Sequence, residues 1–81
     1  MLVIVSAGRR APDPIAEQAL ALVGGPADSA VEELVAMAGG RREPLVGARD
    51  ALVGRLHRRS DDFDATKALR LVSRALARVG W

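Results

Sequence analysis

The chain has no cysteine, and His57 is its only histidine. Without cysteine it forms no disulfide and offers no thiolate to a metal ion, and one imidazole does not build a zinc site alone. We therefore expect no metal site and no cofactor. Stability must come from packing.

Aromatic residues are almost absent. Phe63 and Trp81 make up 2% of the chain, whereas hydrophobic residues make up 49%. The core must therefore consist of Leu, Val, Ala and Met, which suits close packing between helices. The chain also lacks the interleaved aromatic side chains on which bases stack, which argues against a platform for single-stranded nucleic acid.

Long hydrophobic runs are missing as well. No stretch approaches the roughly 20 apolar residues that cross a bilayer. The apolar residues after Met1, from Leu2 to Val5, are too few for a secretory signal, whose apolar part has about 7 to 15 residues. We expect a cytoplasmic protein with no membrane partner.

The chain is short for a protein without cross-links. Its 81 residues make one domain with a thin core, because a chain of this size buries only about 60 to 65% of the surface that the unfolded form exposes. Self-association is the remaining common way to bury more surface. We therefore expect a homo-oligomer.

Charge is present but unevenly distributed. Residues 1–40 sum to −3 and residues 41–81 to +5, because ten of the twelve Lys and Arg residues lie in the second part. Such an asymmetry concerns partners and solubility and carries no information about the fold.

The first residues of the chain are apolar and β-branched, which predicts a strand. No second strand is convincing, and a lone strand has unpaired backbone groups. Residues 1–11 are therefore either an extended, trimmable terminus or a strand that pairs with another copy, and residues 12–81 form the domain. The second interpretation predicts an oligomer interface at Leu2, Val3, Ile4 and Val5.

Two helices are predicted in the acidic half. Asp13, as N-cap before a proline, predicts a helix over 14–23 that ends at a glycine pair. Ser29 and Glu32 have the spacing of a capping box, which predicts a second helix over 29–38. A glycine pair follows this helix as well.

Two more helices are predicted in the basic half. A proline at position 44 opens a helix over 44–58, and Asp64 begins a helix over 64–79, with Phe63 packed on Ala68 as a hydrophobic staple. The apolar seam of this last helix consists of Leu69, Val72, Leu76 and Val79. Short linkers favour antiparallel neighbours. The predicted fold class is mainly α, a small four-helix domain preceded by a short extended segment or strand.

Four cations of the last helix recur every three or four residues and form one row, the basic rail: Lys67, Arg70, Arg74 and Arg78. Over about 17 Å, the rail is long enough to meet several phosphates or the carboxylates of an acidic partner. The alternative is a solvated face whose cations complement the helix dipole. Leu71 lies beside the rail and outside the seam, which indicates a second contact surface.

A stripe of small residues, Gly47, Ala51 and Gly54, runs along the third helix. Each glycine costs about 1 kcal/mol relative to Ala in a helix interior. This cost is easiest to explain if another backbone approaches closely, within the bundle or across a subunit boundary. The alternative is a helix that breaks near Gly54.

Other motifs are weak. Three aspartates, at positions 61, 62 and 64, lack the alternate spacing of a calcium loop, and His57 has no nucleophile at a recognisable spacing. The second and third helices have the outline of a helix-turn-helix. However, the outer face of the third helix offers few side chains that read bases.

These patterns favour a small non-enzymatic α-helical interaction or assembly module that self-associates, with an acidic protein as a further possible partner. The basic rail and Leu71 are the predicted partner-binding residues. The small-residue stripe and the segment from Leu2 to Val5 are the predicted oligomer interface. The alternative is a nucleic-acid-binding regulatory protein that uses the rail together with Arg41, Arg42, Arg58 and Arg59.

Overall fold

The computed structural model describes residues 13–80, and within this range the chain forms four helices and no strand. The prediction of a mainly α, four-helix domain is confirmed. The predicted strand and interface from Leu2 to Val5 lie outside the described residues. The helices are α1 (Pro14–Leu22), α2 (Ala27–Met37), α3 (Arg42–Arg58) and α4 (Phe63–Arg78).

Helix α1 begins where the sequence predicted. The carboxylate of Asp13 accepts hydrogen bonds from the backbone N–H groups of Ile15, at 2.9 Å, and Ala16, at 3.0 Å. Pro14 occupies the first helical position, where a missing N–H costs nothing because that group has no partner inside the helix. The helix ends at Leu22, one residue earlier than predicted.

Helix α2 begins two residues earlier than predicted, and the capping box at Ser29 is wrong. Pro26 is the N-cap, with φ −64° and ψ 130°, and no side chain caps this end. Its carbonyl accepts from the N–H of Ala30 at 3.1 Å. Ser29 lies inside the first turn and cannot cap it. Gly39 and Gly40 end the helix with φ of 65° and 74°, a conformation that favours glycine.

Helix α3 begins at Arg42, so Pro44 lies inside the first turn instead of opening it. Proline is tolerated there because the first N–H groups of a helix have no intrahelical acceptor. The helix then runs without interruption through Gly54 to Arg58. The alternative of a break near Gly54 is therefore wrong.

Helix α4 begins one residue before Asp64, and the hydrophobic staple is wrong. Asp62 is the N-cap, and its carboxylate accepts from the N–H of Ala65 at 3.1 Å. Phe63 is therefore the first helical residue, and it is 75% exposed. Because it lies inside the helix and points outward, it does not pack on Ala68.

Helix α4 is the centre of the domain, since it packs against each of the other three helices, whereas α2 and α3 hardly touch each other. Among the described residues, no polar or charged side chain is buried. Fully buried alanines allow the helices to approach closely. The predicted contribution of Met fails for Met37, which is 44% exposed. The largest fully buried side chains are Leu34, Leu45, Leu52, Val72 and Leu76.

The placement of Leu71 outside the apolar seam is wrong. Its side chain is only 7% exposed and belongs to the core. Helix α4 is contacted from three sides, so its buried arc is wider than a seam of one residue per turn. Leu69 and Val79, assigned to that seam, are only partly buried.

Candidate functional site on the outer face of α4

The outer face of α4 carries an aromatic side chain followed by four cations. Phe63 lies one turn before Lys67, and the remaining members of the basic rail continue the same helical spacing toward the C-terminal end. All five side chains are exposed. The four cations share one exposed face, as their spacing predicted, and their role in partner binding stays a prediction. Phe63, which the sequence predicted to pack on Ala68 as a staple, is exposed as well.

The C-terminal half of the rail is already paired with α2. Arg74 Nη2 lies 3.2 Å from Asp28 Oδ1, and Arg78 Nη2 lies 3.3 Å from Glu32 Oε2. On α2 the second pair lies four residues after the first, and on α4 it also lies four residues after the first. The two helices therefore run in the same direction here. Exposed ion pairs of this kind contribute about 0 to 1 kcal/mol each. Their main effect is to neutralise half of the rail.

The N-terminal half of the rail has no such partner. Within residues 13–80, no carboxylate lies within 4.0 Å of Lys67 or Arg70. These two cations, with Arg74, flank a hollow of about 260 Å³ between α4 and the α1–α2 turn. Its lining includes apolar side chains as well as cations. The lining residues are Leu22, Val23, Gly25, Ala27, Lys67, Arg70, Leu71 and Arg74.

Both carboxylates and guanidinium groups lie around Phe63 at the start of α4, in a second hollow lined by Arg55, Arg59, Asp61, Asp62, Phe63 and Asp64. Asp62 and Asp64 flank Phe63 in the sequence, Asp61 lies two residues before it, and Asp61 and Asp64 are exposed. Asp62 is less accessible, with a side chain 15% exposed, and its Oδ2 accepts from Arg55 Nε at 2.7 Å. This hydrogen bond from the guanidinium is the main reason that the pKa of Asp62 lies below its usual value, and the N–H of Ala65 lowers the pKa further.

The small-residue stripe of α3 does not mark a close helix approach within the bundle. A Cβ atom at Gly47 would meet only the Asp13 Oδ2 atom, at 3.6 Å, and a Cβ atom at Gly54 would have nothing within 4 Å. Ala51 is half-buried against the core. The interpretation of the stripe as a subunit boundary stays a prediction.

The helix-turn-helix outline is not supported by the packing, because the two helices of such a motif pack on each other, whereas α2 and α3 hardly touch. Some cations outside the rail also have carboxylates nearby. Arg41 lies 3.9 Å from Glu43, and Arg59 lies 3.9 Å from Asp61. Opposite charges are therefore interleaved at several places where a phosphate backbone would need free cations.

No metal site is evident in the described part of the chain, where no group of three or more His, Asp or Glu side chains is suitably placed to hold an ion. In the same part, no helix has the length and apolar character needed to cross a membrane.

The chain matches no protein-family model, and no curated protein or solved structure is significantly similar to it. The outer face of α4 is the part of the described surface where an aromatic side chain, an apolar hollow and cations without carboxylate partners occur together.

Proposed function

We propose that this chain is a non-enzymatic helical interaction module that works by associating with a second copy of itself. The observation that carries the proposal is the division of the basic rail. Arg74 and Arg78 are neutralised by Asp28 and Glu32, whereas Lys67 and Arg70 have no carboxylate partner within residues 13–80 and flank, with Arg74, an apolar hollow. Such a face has the mixed character of a protein interface, with an apolar centre and a charged rim.

This division also supports protein contacts over phosphate contacts. The affinity of a protein for DNA rises with the number of phosphates that its cations neutralise. A carboxylate on Arg74 or Arg78 would have to be displaced before either could contribute. An apolar hollow adds nothing to a phosphate contact, whereas it adds buried apolar area to a protein interface.

Exposed apolar side chains support self-association. Three large ones are exposed among the described residues: Met37 at 44%, Val53 at 37% and Phe63 at 75%. A chain with so thin a core gains more from covering such groups than a larger domain does. Aromatic side chains at the centre of an interface are also the ones that most often dominate its binding energy.

Sedimentation velocity and light scattering across a concentration series, at physiological salt, test the proposal. We expect the average mass to rise above that of one 8.5-kDa chain as concentration increases from roughly 10 µM toward 1 mM, the range of a weak complex. A mass of one chain at every concentration would contradict self-association.

Nucleic-acid binding is the alternative, supported by the cations of the second half and by the unpaired Lys67 and Arg70. Fluorescence anisotropy with a labelled DNA duplex tests it. If the rail binds phosphate, affinity falls steeply as salt increases, because bound counterions are released. Absence of binding at low salt excludes this alternative.

A further inference from the structure

Two complementary features lie on the outer face of α4. One is the exposed ring of Phe63, and the other is the hollow between α4 and the α1–α2 turn, whose lining includes Leu71. Eight residues separate these two positions, which is about 12 Å along a helix. The ring is 75% exposed, so it does not occupy the hollow of its own chain.

The hollow has the size and lining to accept an aromatic ring. Its volume is about 260 Å³, whereas an apolar cavity of about 150 Å³ is enough to bind benzene. The apolar side chains of Leu22, Val23 and Leu71 face it. A phenyl ring placed there would release water both from its own surface and from the apolar side chains of the hollow.

Carboxylates outnumber cations around Phe63, where Asp61, Asp62 and Asp64 lie with Arg55 and Arg59, whereas cations line the other hollow. Asp64 follows Phe63 directly and has no cation within 4.0 Å in residues 13–80, whereas Asp61, two residues before Phe63, lies 3.9 Å from Arg59. Lys67 and Arg70 flank the hollow without a carboxylate of their own in the same range. An aromatic side chain carried into the hollow by a segment rich in carboxylates would therefore bring those carboxylates toward cations. The chain itself contains such a segment.

From these observations we infer that Phe63 of one copy inserts into the α4 hollow of a second copy, with the carboxylates beside Phe63 facing Lys67 and Arg70. The inference rests on the proposed self-association and specifies its contact. Each copy carries both features, so every copy can donate its ring and accept another. The contact is small, which is consistent with an association in the weak, transient class.

Removal of the ring is the first test. Phe63→Ala should weaken association about tenfold or more, since buried aromatic side chains are the residues whose truncation costs interfaces most. Val53→Ala is the matched control, because it truncates another exposed apolar side chain, on α3. The control should associate like the wild type, and circular dichroism should show equal helix content in all three proteins.

Reversal of the charges beside the hollow is the second test. Lys67→Glu with Arg70→Glu should also weaken association about tenfold, because both side chains would then repel Asp61 and Asp64. Arg41→Glu with Arg58→Glu changes the net charge equally at the two ends of α3 and is the matched control. It should leave association unchanged, whereas it would weaken binding to nucleic acid.

A mixing experiment assigns the two features to different copies. The Phe63→Ala variant keeps the hollow and its cations, and the variant with Lys67→Glu and Arg70→Glu keeps the ring. Each alone should be mostly monomeric. Their mixture should form a complex of one copy of each, since the ring of the second variant can still enter the hollow of the first.

The outcomes separate this contact from the broader proposal. A wild-type chain that stays monomeric contradicts both. A wild-type complex that Phe63→Ala does not weaken overturns the contact and leaves self-association standing. Absence of a mixed complex, when both variants are folded and monomeric, also overturns the insertion of the ring into the hollow.

Discussion

At the scale of single residues, Asp62 joins two elements. Its side chain accepts a hydrogen bond from Arg55 of α3 at 2.7 Å and caps α4 through the N–H of Ala65 at 3.1 Å. Both bonds favour the ionised carboxylate, which is why the pKa of Asp62 is lowered in the folded chain. Folding is therefore linked to the charge of this one group.

The sign of this linkage predicts a pH dependence. An Asp in an unfolded chain has a pKa of about 3.9, and the folded pKa of Asp62 is lower. Its contribution to stability is thus fully present above about pH 4 and is lost as pH falls through the folded pKa. Asp62→Ala should lower the thermal midpoint at pH 7, and the difference from wild type should shrink in strong acid.

Asp61→Ala is the control for this prediction. Asp61 is exposed and lies 3.9 Å from Arg59, a separation at which exposed pairs contribute little. Its removal should change the thermal midpoint little at any pH. If the two variants behave alike, Asp62 does not stabilise the junction between α3 and α4.

At the scale of elements, substitution of Gly54 in α3 tests whether this glycine has a structural role. A Cβ atom at Gly54 would meet no atom within 4 Å, and its φ is not positive. Gly54→Ala should therefore stabilise the chain, by about 0.5 to 1 kcal/mol, through helix propensity and a less flexible unfolded state. Urea unfolding followed by circular dichroism measures the change.

Gly40→Ala is the matched control, because Gly40 has a φ of 74° at the end of α2 and an alanine there is strained. It should destabilise the chain. If Gly54→Ala weakens self-association instead of only raising stability, the small-residue stripe belongs to a subunit boundary after all.

Helix starts show how far local sequence reasoning reaches. Asp13 was correctly predicted as an N-cap. Its capping side chain, the proline after it and the backbone N–H groups that it caps all lie within four residues, so the local sequence contains the whole signal. Ser29 was wrongly predicted as an N-cap, because a capping-box spacing also occurs inside a helix that begins earlier, at Pro26. Phe63 was misplaced because the wrong residue was predicted as the cap. Since Asp62 and not Asp64 is the N-cap, Phe63 is the first residue of the helix, and its side chain is exposed.

At the scale of the whole molecule, self-association should raise the thermal midpoint of unfolding. Anything that binds only the folded state raises the midpoint of unfolding, by an amount that grows with the logarithm of its concentration once this exceeds the Kd. The thermal midpoint of the wild-type chain should therefore rise as protein concentration rises. Phe63→Ala should have a midpoint that does not depend on concentration, and equal slopes for the two proteins would contradict the contact through Phe63.

The position of the charged residues on one helix face could be predicted from the sequence. Which of these cations are available to a partner could not. The spacing of the basic rail follows from helical periodicity alone, so all four members were correctly placed on one exposed face. Which of them remain available depends on α2, since Asp28 and Glu32 are 46 residues away from their partners Arg74 and Arg78. No local pattern reports such a pairing.

Helix content and the positions of the turns were thus decided by local chemistry, because caps, glycine pairs and apolar spacing act within a few residues. The burial of Leu71, the hollow beside it and the division of the rail were decided only when α1, α2 and α3 packed around α4. Those features depend on contacts between residues distant in the chain, and only the packed domain brings them together.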